Sequence, residues 1–157
     1  MSLPEVCVVL LLRRGPHGME VLLGETHADD GRCAVVGIGA ALEAGEPADQ
    51  AAVRGVRDQI GVEVEASDLH PAGVVDRHFP TQRARAERST VFVCRRWQGE
   101  PVARAVLAPR WFPLDAVPYA RMGDDFPRWL PGVLRGGTVD ARFTFGADLT
   151  TVVLSAE

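Results

Sequence analysis

One stretch, "EPADQAAVRGVRDQIGV", constrains the fold more than any other because both ends and one face of a helix are visible in it. Pro47 suits a first helical position, and Gly61 suits the position just after a helix ends. Between them, apolar residues recur at the three- and four-residue spacing of a helix that buries one side: Ala52, Val53, Val56 and Ile60. The stretch therefore predicts an amphipathic helix packed on an apolar layer.

The segments around this helix read as strands and a second helix. "VCVVLLLRRGPHGMEVLLGET" predicts a hairpin, whereas the glycine-rich "HADDGRCAVVGIGAALEAGE" after it predicts a loop-rich stretch. Further strands are predicted at "DLHPAGVVDRHF", "RSTVFVCRRWQG" and within "PRWFPLDAVPYARM", a helix at "DDFPRWLPGVLRGG", and a closing hairpin at "VDARFTFGADLTTVVL". At 157 residues, the chain is predicted to form a single domain over 1–157 of the α+β class, with helices packed on a sheet.

Composition narrows the classes of partner and compartment. The net charge is −4 and all seventeen basic residues are arginine, so we expect no binding to a nucleic-acid polymer, and any phosphate contact must use Arg, backbone N–H groups or helix N-termini. The apolar run "VCVVLLL" is too short to cross a bilayer, so no membrane partner is expected. Cys7 and Cys94 lie in apolar runs and are expected to be buried thiols in a reducing cytoplasm.

The spacing of residues in "GIGAALEAGEPADQAAVRGVRDQIGV" resembles the Nudix box, the strand–loop–helix motif of Nudix (MutT-type) hydrolases. That pattern is Gly, five residues, Glu, seven residues, then Arg-Glu-apolar-x-Glu-Glu-x-Gly-apolar. Its first Gly falls on Ala40, and its other matching positions are Glu46, Arg54, Val56, Gly61 and Val62. The C-terminal half is similar to MutT homologues that hydrolyse oxidised purine nucleoside triphosphates. The resemblance implies an α/β/α sandwich around a mixed sheet.

The resemblance also implies a divalent metal, Mg or Mn, held by three Glu side chains on one helix face. In the family, the metal neutralises the charge of the phosphates while water attacks a nucleoside diphosphate derivative. Those three positions hold Gly55, Asp58 and Gln59 here. Asp58, Gln59 and the Gly39 carbonyl are therefore the expected metal ligands, and they form a weak or absent site. Asp58, Glu46 and Arg54 are the candidate catalytic residues, with Glu46 expected to hold Arg54 in place.

Gly55 has two open explanations. A mid-helix Gly is less favourable than Ala by roughly 1 kcal/mol, so its presence needs a reason. Either the glycine arose by genetic drift after activity was lost, or it makes room for a ligand or a backbone segment that approaches the helix closely. The candidate acids to replace the missing glutamates are Glu43, Glu46 and Glu87.

The substrate end also departs from the oxidised-purine hydrolases. Their Trp-Asn pair before the box is replaced by Val35 and Val36, and Gly123 follows Met122 where they have Trp. Their Asp pair aligns with Asp125 and Phe126 without a gap, or with Asp124 and Asp125 after a shift of one. We therefore expect a more apolar pocket without oxidised-purine specificity. The candidate substrate-binding residues are Val36, His78, Arg83, Met122, Asp124, Asp125, Phe126 and Trp129. Further polar candidates for the pocket are His27, Arg77, Arg85 and Arg88.

Three functional hypotheses follow. The first is a Nudix-fold protein that lacks ordinary Mg-dependent hydrolysis and binds a nucleotide or small molecule, or performs metal-independent chemistry in a biosynthetic pathway. The second is an active Nudix hydrolase that uses Mg or Mn in an unconventional site built on Asp58. The third is a protein-interaction module, for which no residue pattern argues directly. Neither the ligand nor the oligomeric state is encoded in a recognisable pattern.

Overall fold

A computed structural model describes residues 3–27, 33–104 and 107–156. The strands are β1 (Glu5–Gly15), β2 (Gly18–His27), β3 (Cys33–Val36), β4 (Ile38–Ala41), β5 (Leu69–His78), β6 (Glu87–Cys94), β7 (Ala108–Pro113), β8 (Val139–Phe145) and β9 (Val152–Ala156). The helices are α1 (Ala48–Ile60) and α2 (Phe126–Leu134), with single 3₁₀ turns at Ala66–Asp68, Arg83–Arg85 and Tyr119–Arg121.

The described strands form one mixed sheet in the order β3-β2-β1-β6-β5-β8-β9. Strand β4 pairs in addition with β1, and β7 with β2. The β1–β6 and β5–β8 pairs are parallel, and the other pairs are antiparallel. Strand β1 is therefore the centre of the sheet, because it pairs with β2, β4 and β6.

The two helices cover opposite faces of this sheet. Successive β1 residues alternate between the faces: Leu10 joins the apolar cluster that contains Trp129 of α2, and Leu11 joins the cluster that contains Val56 and Ile60 of α1. All five of these side chains are at most 4% exposed. This confirms the α+β class and the helix–sheet–helix layering that the sequence predicted.

The ends of α1 agree with the sequence prediction to within one residue. Pro47 is extended and precedes the helix, with φ −66° and ψ 149°. Gly61 ends it in the left-handed region at φ 73° and donates its N–H to the Arg57 carbonyl. Only a residue tolerant of positive φ closes the helix in this way, so the Gly61 stop has a local cause.

The glycine-rich stretch before α1 is more regular than predicted, because it contains β3 and β4. Each has only four residues, too few to show a two-residue period, and tertiary pairing rather than local sequence orders them. Val8 of β1 lies opposite Gly39 of β4, and Gly24 of β2 lies opposite Val36 of β3. Residues 28–32 of this stretch lie outside the described residues. Across the described part of the chain, no helix is both long and apolar enough to cross a membrane.

Candidate functional site

The loop between β4 and α1 is fixed by an ion pair. Both carboxylate oxygens of Glu46 accept from the Arg54 guanidinium, at 2.8 Å from Nη2 and 3.1 Å from Nε. Arg54 Nη2 also donates to the Ala41 carbonyl at 2.8 Å, and the Glu43 N–H donates to Glu46. The hydrogen bonds from Arg54, and then that from the Glu43 N–H, lower the pKa of Glu46 to about 2. Glu46 thus lies where the sequence placed it, holding Arg54 and the loop.

Gly55 lies where α1 meets β4 most closely. A Cβ atom added to Gly55 would lie 2.8 Å from the Ala40 Cβ and 2.8 Å from both the carbonyl carbon and oxygen of Gly39. Those distances leave no room for a side chain unless the helix or strand moves. Of the two explanations for this glycine, the close approach of a backbone is the one present in the structure. The Gly39 carbonyl, expected as a metal ligand, faces the helix at this contact.

Gln59 ties the same strand to the same helix. Its Oε1 accepts a hydrogen bond from the Gly39 N–H at 2.9 Å, across twenty residues of sequence. The amide oxygen predicted to ligate a metal therefore already has a backbone partner.

Asp58 points away from this contact. Its side chain is 60% exposed, its Oδ1 lies 3.6 Å from Arg57 Nε, and it is outside the set of residues that line the main cavity. The one carboxylate left at the three glutamate positions of the helix is thus directed towards solvent.

The side chains at the three glutamate positions are not arranged to bind a divalent cation. Mg²⁺ needs near-octahedral oxygen ligands, usually including at least one carboxylate. Gly55 has no ligand atom, the Gln59 oxygen accepts from Gly39, and Asp58 is exposed and apart from the cavity. Among the described residues, no group of three or more His, Cys, Asp or Glu side chains is placed to hold a metal ion.

A cavity of about 870 Å³ opens beside β4, on the side of the sheet that α2 covers. Most of its lining is apolar. Phe79 and Phe145 stack at 4.7 Å between ring centroids and form part of one wall. The other apolar side chains that line it include Val6, Val8, Val35, Val36, Met122, Phe126 and Leu149. Val35 and Val36, which stand at the positions of the Trp-Asn pair, both line this cavity.

Buried charge lies at one end of the cavity. Arg77 is 8% exposed and Asp125 is 1% exposed. Arg77 donates from Nε and Nη2 to Asp125 Oδ2 at 3.1 and 2.8 Å, and from Nη1 to Ser89 Oγ at 2.7 Å. Trp129 Nε1 donates to the same Asp125 oxygen at 2.8 Å, and Glu87 lies 3.4 Å from Arg77 Nη1. The pair is therefore almost neutral overall, and one Asp125 oxygen already accepts three hydrogen bonds.

The structure brings only some of the sequence candidates to the cavity. Val36, Met122, Asp125, Phe126 and Gln59 line it, as do Arg77, Arg85 and Glu87. Trp129 lies behind Asp125. Asp124 instead accepts the Val152 N–H at 2.8 Å and so fixes the start of β9, which favours the gapless alignment. His78 and Arg83 line a separate pocket of about 350 Å³, while Arg88 pairs with Asp76. His27 ends β2, next to the undescribed residues 28–32.

Sequence reasoning missed several residues of the cavity, including Ser89, Phe145 and Leu149. Leu149 adopts φ 63°, which is rare for a residue with a branched side chain. Asp148 fixes this turn by accepting from the Thr150 and Thr151 N–H groups and from the Thr151 hydroxyl, and the hydroxyl is the main reason its pKa falls to about 2. The sequence "GADLTT" shows a turn, but nothing in it places the leucine in a cavity.

Comparison with known proteins identifies the family. The NUDIX domain model matches residues 1–133. The chain is 28% identical over 128 residues to an oxidized purine nucleoside triphosphate hydrolase of Danio rerio, covering 82% of this chain and 78% of that protein. It is 26% identical over 125 residues to the Mus musculus protein of the same name, covering 80% and 78%.

Solved structures show the same fold. A mutator MutT protein from Bacillus halodurans superimposes with a TM-score of 0.78 at 17% identity, covering 98% of this chain and 97% of that one. A MutT Nudix hydrolase from Burkholderia pseudomallei gives 0.59 at 24% identity, covering 75% and 88%. Since the domain model covers most of the chain and the fold agrees along nearly all of it, the chain belongs to the Nudix family, as a protein of the MutT type.

Proposed function

We propose that this protein binds a nucleotide or another small organic anion in its main cavity without a divalent metal, and that it does not carry out ordinary Mg-dependent pyrophosphate hydrolysis. One observation carries the proposal: the helix face that holds metal in the family is here a packing surface. Gly55 lies against Gly39 and Ala40, and Gln59 accepts from the Gly39 N–H.

The charge of the cavity supports direct binding of an anion. Three glutamates would repel phosphate oxygens unless a cation lay between them, and at those positions this chain brings only the neutral Gln59 to the cavity. Arg85 lines the cavity and, among the described residues, has the Phe79 ring as its contact and no ion-pair partner. A guanidinium without a carboxylate partner is suited to a phosphate or carboxylate group. The apolar walls suit a ring or aliphatic portion of the ligand.

The test measures hydrolysis and binding separately. Release of phosphate and pyrophosphate is followed over a panel of nucleoside triphosphates and nucleotide sugars, with Mg²⁺ and with Mn²⁺. Binding of the same compounds is followed by calorimetry in EDTA. The expected result is binding in EDTA with no turnover. In Arg85→Gln the dissociation constant should rise tenfold or more, which corresponds to a loss of about 1.4 kcal/mol of binding free energy. Metal-dependent turnover by the wild type would contradict the proposal.

A variant with the three glutamates restored shows whether the protein lacks only the metal-binding acids or also the ability to bind nucleotides. Reinstating the three acids, Gly55→Glu, Asp58→Glu and Gln59→Glu, is combined with Ala40→Gly, which removes the Ala40 Cβ beside position 55. The Gly39 carbonyl, also 2.8 Å from that position, must then shift with β4. If this fourfold variant hydrolyses a nucleotide that the wild type only binds, the cavity still accepts nucleotides and the helix face accounts for the difference.

An active hydrolase with an unconventional metal site is the second candidate. It is favoured by the intact Glu46–Arg54 pair, by the presence of Glu87 in the cavity and by the names of the two relatives. If the wild type does turn over a substrate, Asp58→Ala and Glu87→Gln are the deciding variants, because a mechanism built on these carboxylates requires both to lose activity.

A further inference from the structure

A second pocket lies behind the wall of the main cavity. Strand alternation places Asp76 and His78 of β5 on the sheet face opposite Arg77, the face that carries α1 nearer the centre of the sheet. In the register of the neighbouring strands, Asp76 lies opposite Arg88 of β6 and opposite Arg142 of β8. The outer strands therefore present a row of charged side chains on this face.

The pocket itself has a volume of about 350 Å³ and an apolar floor. His78, Arg83, Arg142 and Thr144 are its polar lining residues, and no acidic residue lines it within the part of the chain that the structure describes. Phe79 lines both pockets, so the two lie next to each other at this residue. The 3₁₀ turn Arg83–Arg85 sends its first arginine to this pocket and its last to the main cavity.

The charged side chains that line the pocket beside His78 are both arginines, Arg83 and Arg142. Asp76 lies outside the lining, where Arg88 holds it through two hydrogen bonds of 2.8 and 3.0 Å, and its charge also acts on Arg142 and His78. Glu5 and Asp140 also act on Arg88. Arg83 and Arg142 form no ion pair with any described residue. The pocket thus combines two arginines that lack carboxylate partners with the Thr144 hydroxyl. These groups are suited to bind an oxyanion.

We infer that His78, Arg83 and Arg142 form a second binding site, separate from the main cavity, for the phosphoryl group of a small anionic ligand. The two guanidinium groups supply the charge and several N–H donors. The Thr144 hydroxyl and the imidazole N–H of His78 supply further donors.

The His78 imidazole reports on occupancy. Burial, and then the positive charge of Arg142, lowers the pKa of His78, while Asp76 raises it and Arg88 lowers it. Arg83 faces the same pocket from the 3₁₀ turn. A bound dianion would oppose the effect of the arginines and favour the imidazolium. Binding is thus expected to raise the pKa of His78 by about one unit, the lower end of the effect of an opposite charge within 4–6 Å.

The experiment titrates the histidine ring protons of the full chain by NMR, with and without sodium phosphate or pyrophosphate at constant ionic strength, with chloride as the reference salt. His78→Gln assigns the resonance. The exposed His70, at the other end of β5, is the internal control. The expected result is an upward shift for His78 alone, lost in Arg83→Gln and Arg142→Gln but kept in Arg14→Gln, which removes an exposed arginine elsewhere.

The outcomes separate this site from the main cavity. A shift that survives in Arg83→Gln and Arg142→Gln, or that His70 shares, would overturn the assignment. A shift lost in Arg85→Gln but kept in the other two would place the anion in the main cavity, which supports the proposed function and refutes the second site. Anionic vesicles are a separate arm: a response to phosphatidic acid vesicles without one to free phosphate or pyrophosphate contradicts a site for small anions.

Discussion

Two small residues explain much of what distinguishes this site. The Nudix pattern has Gly at the position of Ala40 and Glu at the position of Gly55, and this chain has the larger residue on the strand and the smaller one on the helix. The Ala40 Cβ lies 2.8 Å from the place of a Gly55 Cβ. The two differences are therefore coupled by packing, and a side chain at position 55 is expected to clash while Ala40 is present.

Two helical glycines allow a matched test of that packing. Gly55→Ala should destabilise the protein by about 1–3 kcal/mol because overpacking at Ala40 and Gly39 outweighs the helix propensity gained. Gly132→Ala in α2 should stabilise it by about 0.5–1 kcal/mol, because no described atom beyond its chain neighbours and the nearby backbone of α2 lies within 4 Å of the added Cβ. Urea denaturation measures both, and stabilisation by Gly55→Ala would show that helix and strand are not in tight contact.

The Glu46–Arg54 pair predicts a pH-dependent stability. The pKa of Glu46 falls from 4.5 to about 2 on folding, so its contribution is complete above 4.5 and is lost as the pH drops towards 2. Glu46→Gln should therefore lower the urea midpoint near neutral pH, and the difference from the wild type should shrink in acid. Glu43→Gln, at 3.8 Å from Arg54 and 72% exposed, should change little. A difference that does not vary with pH would contradict the role of the ion pair.

At the scale of elements, β4 and α1 are joined by the contact at Gly55 and the hydrogen bond from the Gly39 N–H to Gln59. A metal site on a helix face needs space between helix and strand, whereas here the two elements are in contact. The polar side chain at position 59 thus holds a strand in place, and its loss should loosen β4 without altering the rest of the sheet.

Gln59→Leu tests this link. Removal of the acceptor leaves the Gly39 N–H without its partner, which should cost about 1–3 kcal/mol and speed hydrogen exchange at Gly39. Gln59→Glu keeps an acceptor oxygen and should preserve the protection of Gly39. Asp58→Ala, at an exposed site, should change stability by less than about 0.5 kcal/mol. Equal Gly39 exchange rates in Gln59→Leu and the wild type would show that this hydrogen bond does not hold β4.

How far the sequence predicted these elements depends on how local their causes are. The Gly61 stop follows from its own backbone, and the Ala52–Ile60 stripe follows from a helical period, so both could be read directly. Strand β4 and the role of Gly55 depend on contacts made across the sheet, and neither leaves a local signal. Likewise, the sequence does not distinguish the adjacent Asp124 and Asp125. The path of the chain into α2 decides that Asp124 accepts from the Val152 N–H and that Asp125 accepts from Arg77.

At the scale of the whole molecule, one buried ion pair connects the sheet to the second helix. Arg77 belongs to β5, Ser89 to β6, and Asp125 immediately precedes α2. With Trp129 donating to the same carboxylate, the network fixes α2 against the sheet and forms one end of the cavity. The shape of the cavity therefore depends on the pair.

Two Arg–Asp pairs of different burial test that dependence. Arg77→Met leaves the buried Asp125 carboxylate with Trp129 Nε1 as its remaining hydrogen-bond donor among the described side chains, and should cost about 3–5 kcal/mol. The double variant Arg77→Met/Asp125→Asn should recover part of that loss. Arg88→Met breaks the exposed pair with Asp76 and should cost less than about 1 kcal/mol. Equal losses in Arg77→Met and Arg88→Met would contradict the structural role of the buried pair.

The response of the whole protein to metal is the last prediction. A ligand that binds only the folded state stabilises it by about 1.4 kcal/mol at a tenfold excess over its Kd, which raises Tm by roughly 3–6 °C for a chain of this size. Because Gly55, Asp58 and Gln59 do not assemble a cation site, millimolar Mg²⁺ or Mn²⁺ should leave the Tm of the wild type unchanged, and EDTA should not lower it.

The fourfold variant with Ala40→Gly and the three restored acids should instead gain stability from metal, because its carboxylates repel one another until a cation lies between them. Differential scanning fluorimetry measures both proteins, with Ca²⁺ and K⁺ at matched ionic strength as controls. A metal-dependent rise in the wild type that Asp58→Ala abolishes would show that Asp58 ligates a cation after all, and would favour the unconventional hydrolase over the metal-free binding protein.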